Sequence, residues 1–175
     1  MKVYADNAAT TKISEAALEK FNTVSLETFG NPSSLYKTGQ DAKKVLEDSR
    51  LEIAEVIGAS PKEIFFSSGG SESDNWAIRS AAEIGKKNGK NHIISTTIEH
   101  HAVLHTLQKL EEEGFEITLL EVDENGLISL DDLKDAIKDD TCLVTIMFAN
   151  NEIGTIEPIK EIGEICKSKD SVPLL

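Results

Sequence analysis

Cysteine is nearly missing from this 175-residue chain: there are two, Cys142 and Cys166, with no C-x-x-C spacing. That excludes a disulfide framework and a zinc-knuckle arrangement, and leaves buried free thiols as the expectation for two residues in or beside apolar segments. Cations are also short, 18 Lys and Arg against 31 Asp and Glu, for a net charge of −13. A nucleic-acid partner would need basic stripes and counterion release, so that class is excluded and the charge reads as solubility. No apolar run reaches membrane length and no secretory pattern opens the chain, so no membrane partner is expected and the cytoplasm is the expected compartment. Internal repeats, low-complexity tracts and an interdomain linker are absent too.

What is present is enough apolar sequence, 39% of residues, to build a core. Ser14 is placed to cap a helix carrying Ala17, Leu18, Phe21 and Val24 on one face. The Asn31-Pro32 turn breaks it. A longer helix follows with Ala42, Val45, Leu46, Ile53, Val56 and Ile57 in register, ended by Gly58. Ser60-Pro61-Lys62-Glu63 has the form of a capping box with proline at the first helical position, enough for one turn. Ile64–Phe66 read as the end of a buried strand. From there strands at 92–97, 115–122 and 143–148 alternate with helices on Leu104, Leu107 and Leu110, then Leu133 and Ile137, then Ile162, Ile165 and Cys166. The apolar 143–148 strand is expected to be central, and 172–175 to begin another. This pattern predicts an α/β fold, three layers with a mostly parallel sheet and flanking helices. Ligands on such sheets sit at loops leaving the strand C-ends, which selects the loops after 66, 97 and 148.

The first of these, Ser67-Ser68-Gly69-Gly70-Ser71, is followed by a predicted helix from Glu72 with Trp76, Ala77, Ala81 and Ile84 on its apolar face. Strand, small-residue loop and helix aim free backbone N–H groups at an anion. Glu72 and Asp74 suit the helix dipole but must point away from any phosphate there. The second loop holds His100, with His101 and His105 beyond it. His101 and His105, four apart, could share a helix face as metal ligands. A third ligand is not obvious apart from Glu99, so no metal site is expected; the bland alternative is a helix-capping or solvated histidine. The third holds Asn150-Asn151, whose plain reading is a turn.

The string S-S-G-G-S-E-S-D-N closely resembles the phosphate-cup segment of the cysteine desulfurases, class V enzymes of the fold-type I pyridoxal-phosphate group. Four further segments match in family order: D-N-A-A-T-T from Asp6, F-G-N-P-S-S from Phe29, E-H-H-A-V-L from Glu99 and N-N-E-I-G from Asn150. The resemblance spans nearly all of the chain. It implies that residues 1–175 are the N-terminal segment plus the first part of a pyridoxal-phosphate transferase large domain. It implies pyridoxal 5'-phosphate as cofactor, anchored through Gly70 and Ser71. His100 would stack on the ring and act in proton transfer, and Asn151 would bind the phenolic oxygen. Asn7 and Ala8 would lie near substrate. The implied reaction takes L-cysteine to L-alanine and passes sulfur on as a persulfide to an acceptor or scaffold protein, as in iron–sulfur cluster assembly, and the implied assembly is a homodimer.

Several family parts are not in the sequence. No lysine lies in S-x-H-K, no D-A-x-Q supplies the aspartate for the pyridine nitrogen, and neither cysteine sits in a mobile polar loop. The chain is therefore expected to be the N-terminal part of such an enzyme and inactive alone. Two alternatives stay open: a selenocysteine lyase or other class V enzyme, and a non-catalytic piece acting only in folding or dimerisation. A nucleotide binder lacks G-x-x-x-x-G-K and leaves the other four matches unexplained.

Overall fold

A computed structural model describes residues 1–169 and 172–175. They form two compact units, Met1–Phe66 and Ser67–Leu175.

In the first unit, helix α1 (Glu15–Glu27) starts where Ser14 Oγ accepts the Ala17 N–H at 3.2 Å. None of its residues is fully buried: of the expected apolar face, Ala17, Leu18 and Phe21 are exposed and Val24 is half-buried. Helix α2 (Lys37–Ile57) ends at Gly58, which takes the left-handed φ of 69° and lets the Ala59 N–H reach the Ala54 carbonyl at 2.9 Å. The single 3-10 turn Pro61–Glu63 closes as its sequence predicts, with the Glu63 carboxylate accepting the Ser60 N–H at 2.7 Å. The segment 64–66 is not a strand. The Ile64 carbonyl accepts from Arg50, whose guanidinium lies 4.9 Å from the centre of the Phe66 ring. Phe65 is 67% exposed.

The second unit is a three-layer sandwich. Strands β1 (His92–Thr96), β2 (Glu116–Leu120) and β3 (Thr141–Val144) pair in parallel in the order β2-β1-β3. The centre is thus β1, not the expected 143–148 strand, which is also shorter than its apolar run. On its far side β3 meets residues 172–175, where a strand is expected to begin and where Leu174 forms an isolated parallel bridge with Val144. Period-two alternation sets the faces of β1, and a register shift against β3 between His92 and Ile93 lets the adjacent Cys142 and Leu143 share one face. Ile93, Cys142 and Leu143 pack with Ile78 and Ala82 of α3 (Gly70–Lys87) and with Val103, Leu107 and Leu110 of α4 (His101–Glu112). Ile94 and Val144 pack on the opposite face with Leu133 of α5 (Leu130–Ala136) and with Ile162, Ile165 and Cys166 of α6 (Ile159–Ser168).

The face of α3 differs from the sequence reading. Its buried stripe is Ile78, Ala82 and Gly85, while Trp76 is 53% and Ile84 60% exposed. Gly85 explains the rotation: a Cβ there would lie 2.4 Å from the Cys142 Cβ, so the helix presses its glycine against β3. No helix among the described residues is long and apolar enough to cross a membrane.

Candidate functional site

Three loops leave the C-terminal ends of β1 and β3 or enter the N-terminus of α3, and all belong to the second unit. In the first, α3 begins at Gly70, two residues earlier than predicted. Gly70 and Ser71 therefore lie in the first helical turn, where helix geometry provides no acceptor for their N–H groups. Glu72 turns back on the loop: one carboxylate oxygen accepts both the Ser68 N–H and the Ser68 hydroxyl at 2.6 Å. Those bonds, the hydroxyl's first, hold its carboxyl below the usual range. The acid that would repel an anion is thereby directed to Ser68. Asn75 fastens this turn to α4, donating to the Ser71 carbonyl at 2.8 Å and accepting from the Thr106 hydroxyl at 2.6 Å.

His100 caps α4. Its Nδ1 accepts the Ala102 N–H at 3.1 Å, which makes Nδ1 the unprotonated nitrogen and puts the ring proton on Nε2. The capping reading and a ligand-facing role are compatible, because the cap uses one ring nitrogen and leaves Nε2 and the ring face available. His101 packs edge-on with His105 at 5.4 Å between ring centres. Among the described residues no group of three His, Cys, Asp or Glu converges to hold a metal ion.

Asn151 is exposed in the loop after β3, and its neighbour Asn150 shapes that loop by accepting the N–H groups of Glu152 and Ile153 at 2.8 and 3.0 Å. The sequence expectation is that Ser71, His100 and Asn151 share one cleft. The structure divides it. Ser71 and His100 line a groove of about 410 Å³ with Asn75, Arg79, His105 and Lys109. His100 and Asn151 line another of about 270 Å³ with Glu99, Leu104 and Asn150. A third, of about 400 Å³, holds His100 with Asp74, Glu99, Met147, Phe148 and Leu175. His100 is the wall common to all three. Asn7 and Ala8 lie in an exposed turn of the first unit.

Sequence reasoning gave no positioning role to Asn75 or Glu99. Both sit inside matched strings, but what distinguishes them is their partners, Thr106 and Met147, which lie 31 and 48 residues away. Glu99 is buried, and its carboxylate accepts the Met147 N–H at 2.6 Å. Burial holds its carboxyl above the usual range; Asp74 and Glu157 push the same way and the Met147 bond opposes them.

The model of the aminotransferase class-V family matches residues 3–175. Among curated relatives, the cysteine desulfurase IscS of Clostridium botulinum is 56% identical over 169 residues, 97% of this chain and 42% of that protein. The cysteine desulfurase IscS of Methanosarcina thermophila is 54% identical over 165 residues, 94% of this chain and 41% of that protein. Among solved structures, a NifS-like protein superposes with a TM-score of 0.95 at 42% identity, covering 99% of this chain and 48% of that one. A structure of SspA in complex with cysteine gives 0.91 at 38% identity, covering 98% and 49%. The chain thus spans about two fifths of the length of the curated relatives it matches.

Proposed function

Because this chain belongs to the aminotransferase class-V family, we propose that it carries the cofactor-cup portion of a cysteine desulfurase that uses pyridoxal 5'-phosphate. The supporting observation is His100 standing as the common wall of the groove that holds Ser71 and the one that holds Asn151. The residues present suit the cofactor. An anionic phosphate calls for the free first-turn N–H groups of Gly70 and Ser71 with the Ser71 hydroxyl. A flat ring calls for the imidazole face of His100, and a phenolic oxygen calls for the Asn151 amide. Bound there, the cofactor would supply the electron sink that loosens bonds at a substrate α-carbon. The chain's own part is to hold the phosphate, orient the ring and move a proton at His100 Nε2, whose other nitrogen is committed to the cap. L-cysteine is the proposed substrate, in line with a solved relative described as bound to cysteine. Asn7 and Ala8 are proposed as its rim contacts.

On this reading residues 1–175 are the N-terminal segment and the first part of the transferase large domain. The whole protein is a cytoplasmic homodimer that delivers persulfide sulfur to an acceptor or scaffold, as in iron–sulfur cluster assembly. The 175 residues by themselves do not turn over cysteine, since no lysine here lies in S-x-H-K.

The test uses pyridoxine 5'-phosphate, which has no aldehyde to react with surface lysines, titrated to millimolar concentration against isotope-labelled chain. Amide and ring shifts confined to Gly70, Ser71, His100 and Asn151, and weakened by Ser71→Ala, support the reading. Shifts centred elsewhere overturn it. Borohydride reduction after adding pyridoxal phosphate should give scattered labelled lysines. One stoichiometric pyridoxyl-lysine, with alanine formed from cysteine, would overturn the claim that the chain alone is inactive.

A further inference from the structure

We propose that Glu99 and Asn150 form a two-point latch that fixes His100 relative to Asn151, a positioning role that rests on reading those two residues as cofactor contacts. The observation is an alternation in the ladder. Past β3 the even-numbered amides face the chain end: Val144 N–H donates to the Pro173 carbonyl at 2.9 Å and Ile146 N–H to the Leu175 carbonyl at 3.0 Å. Odd-numbered amides face β1, and Thr145 N–H donates to the Ile94 carbonyl at 2.9 Å. Met147 is the next amide on that side, and it falls opposite Thr96, the last residue of β1. The Glu99 carboxylate, reaching back from the loop that has already left the sheet, accepts the Met147 N–H in place of a strand carbonyl.

The second point lies three residues further on. Asn150 Nδ2 donates to the Ile98 carbonyl at 3.0 Å while its Oδ1 accepts two N–H groups within its own loop. Ile98 and Glu99 immediately precede His100; Met147 and Asn150 precede Asn151. The two loops are thus bonded twice, directly behind the two residues that must act together. Packing does not account for the carboxyl. A buried acid near Asp74 and Glu157 is an unfavourable filler, and an apolar side chain would fill the space without that cost.

Three variants of the full 175-residue chain test this. Glu99→Ala removes the first bond, Glu99→Gln keeps a carbonyl acceptor without the charge, and Asn150→Asp keeps Oδ1 while deleting the donor to Ile98. Amide exchange at Met147 should be faster by about tenfold in Glu99→Ala and near the parent rate in Glu99→Gln. Glu99→Ala and Asn150→Asp should each displace the His100 and Asn151 resonances together, and Glu99→Gln should restore them. Affinity for pyridoxine 5'-phosphate should fall several-fold in Glu99→Ala and Asn150→Asp but not in Glu99→Gln, whose melting temperature should be unreduced. Unmoved His100 and Asn151 signals in Asn150→Asp, or a Met147 amide still protected in Glu99→Ala, overturn the latch. Should Glu99→Ala not fold, Asn150→Asp and Glu99→Gln decide it. If pyridoxine phosphate leaves the parent chain unperturbed, the cofactor reading fails while exchange and resonance positions still judge the latch.

Discussion

Glu99 is the residue at which local chemistry and stability pull apart. Its carboxyl is held above its usual range, chiefly by burial. The native state then binds more protons than the unfolded chain from the ordinary carboxylate range upward. Its stabilising contribution is therefore complete below about pH 4.5 and lost as pH rises through the folded value. Glu157, also pushed up by burial, has the same sign. Glu99→Gln should accordingly gain in melting temperature over the parent at pH 7 more than at pH 4.5, with a residual slope from Glu157. Equal shifts at both pH values would contradict this. The cysteines make a second case. Cys142 and Cys166 are buried and burial raises both thiols, so a thiol reagent should modify neither in native protein and both in denaturant. His100 and Asn151 were legible in the sequence as loop residues after strands. Glu99 was not, because the amide it serves, that of Met147, lies 48 residues away.

The elements carry their own consequences. Gly85→Ala would improve helix propensity by about 1 kcal/mol, but the added Cβ would lie 2.4 Å from Cys142. Overpacking of that kind costs about 1–3 kcal/mol, so the variant should lower the denaturation midpoint. At the start of β1, His92 is fully buried, with Nδ1 and Nε2 each 2.8 Å from a hydroxyl, of Thr141 and Thr118. Burial, helped by Lys138, holds its pKa below the usual value. The unfolded chain thus binds the proton first. The contribution is present above about pH 6.5 and is lost as pH falls through the folded value. His92→Ala should cost roughly 2–4 kcal/mol at pH 7 by leaving a cavity and two hydroxyls short of a partner. It should also flatten the acid limb of a urea-midpoint profile. Caps were the most legible features: Ser14, Gly58 and the Ser60–Glu63 capping box all act as their chemistry predicts. Faces were less so. Of the pattern Trp76, Ala77, Ala81, Ile84, Ala81 packs on the core and Ala77 is half-buried, while Trp76 and Ile84 face out, because a glycine that touches the sheet has no hydropathy to announce it.

Across the whole molecule, the α/β alternation from His92 onward translated directly into parallel strands, since each strand–helix–strand crossover allows little else. The central place of β1 and the exposed course of 64–66 did not, because both depend on which strands lie alongside. In the first unit α1 has no buried residue, and Phe21, Val56 and Ile57 remain exposed. Such apolar surface favours association, so sedimentation at high concentration should show a dimer or larger species; a clean monomer would count against it. The chain also has a single tryptophan, Trp76, half-exposed on α3 and five residues past Ser71. All of its indole fluorescence therefore originates within the opening turns of one helix. The emission colour becomes a label-free optical gauge of that helix end, and a pyridoxyl chromophore seated at Ser71 should dim it by energy transfer while one attached to a distant lysine should not.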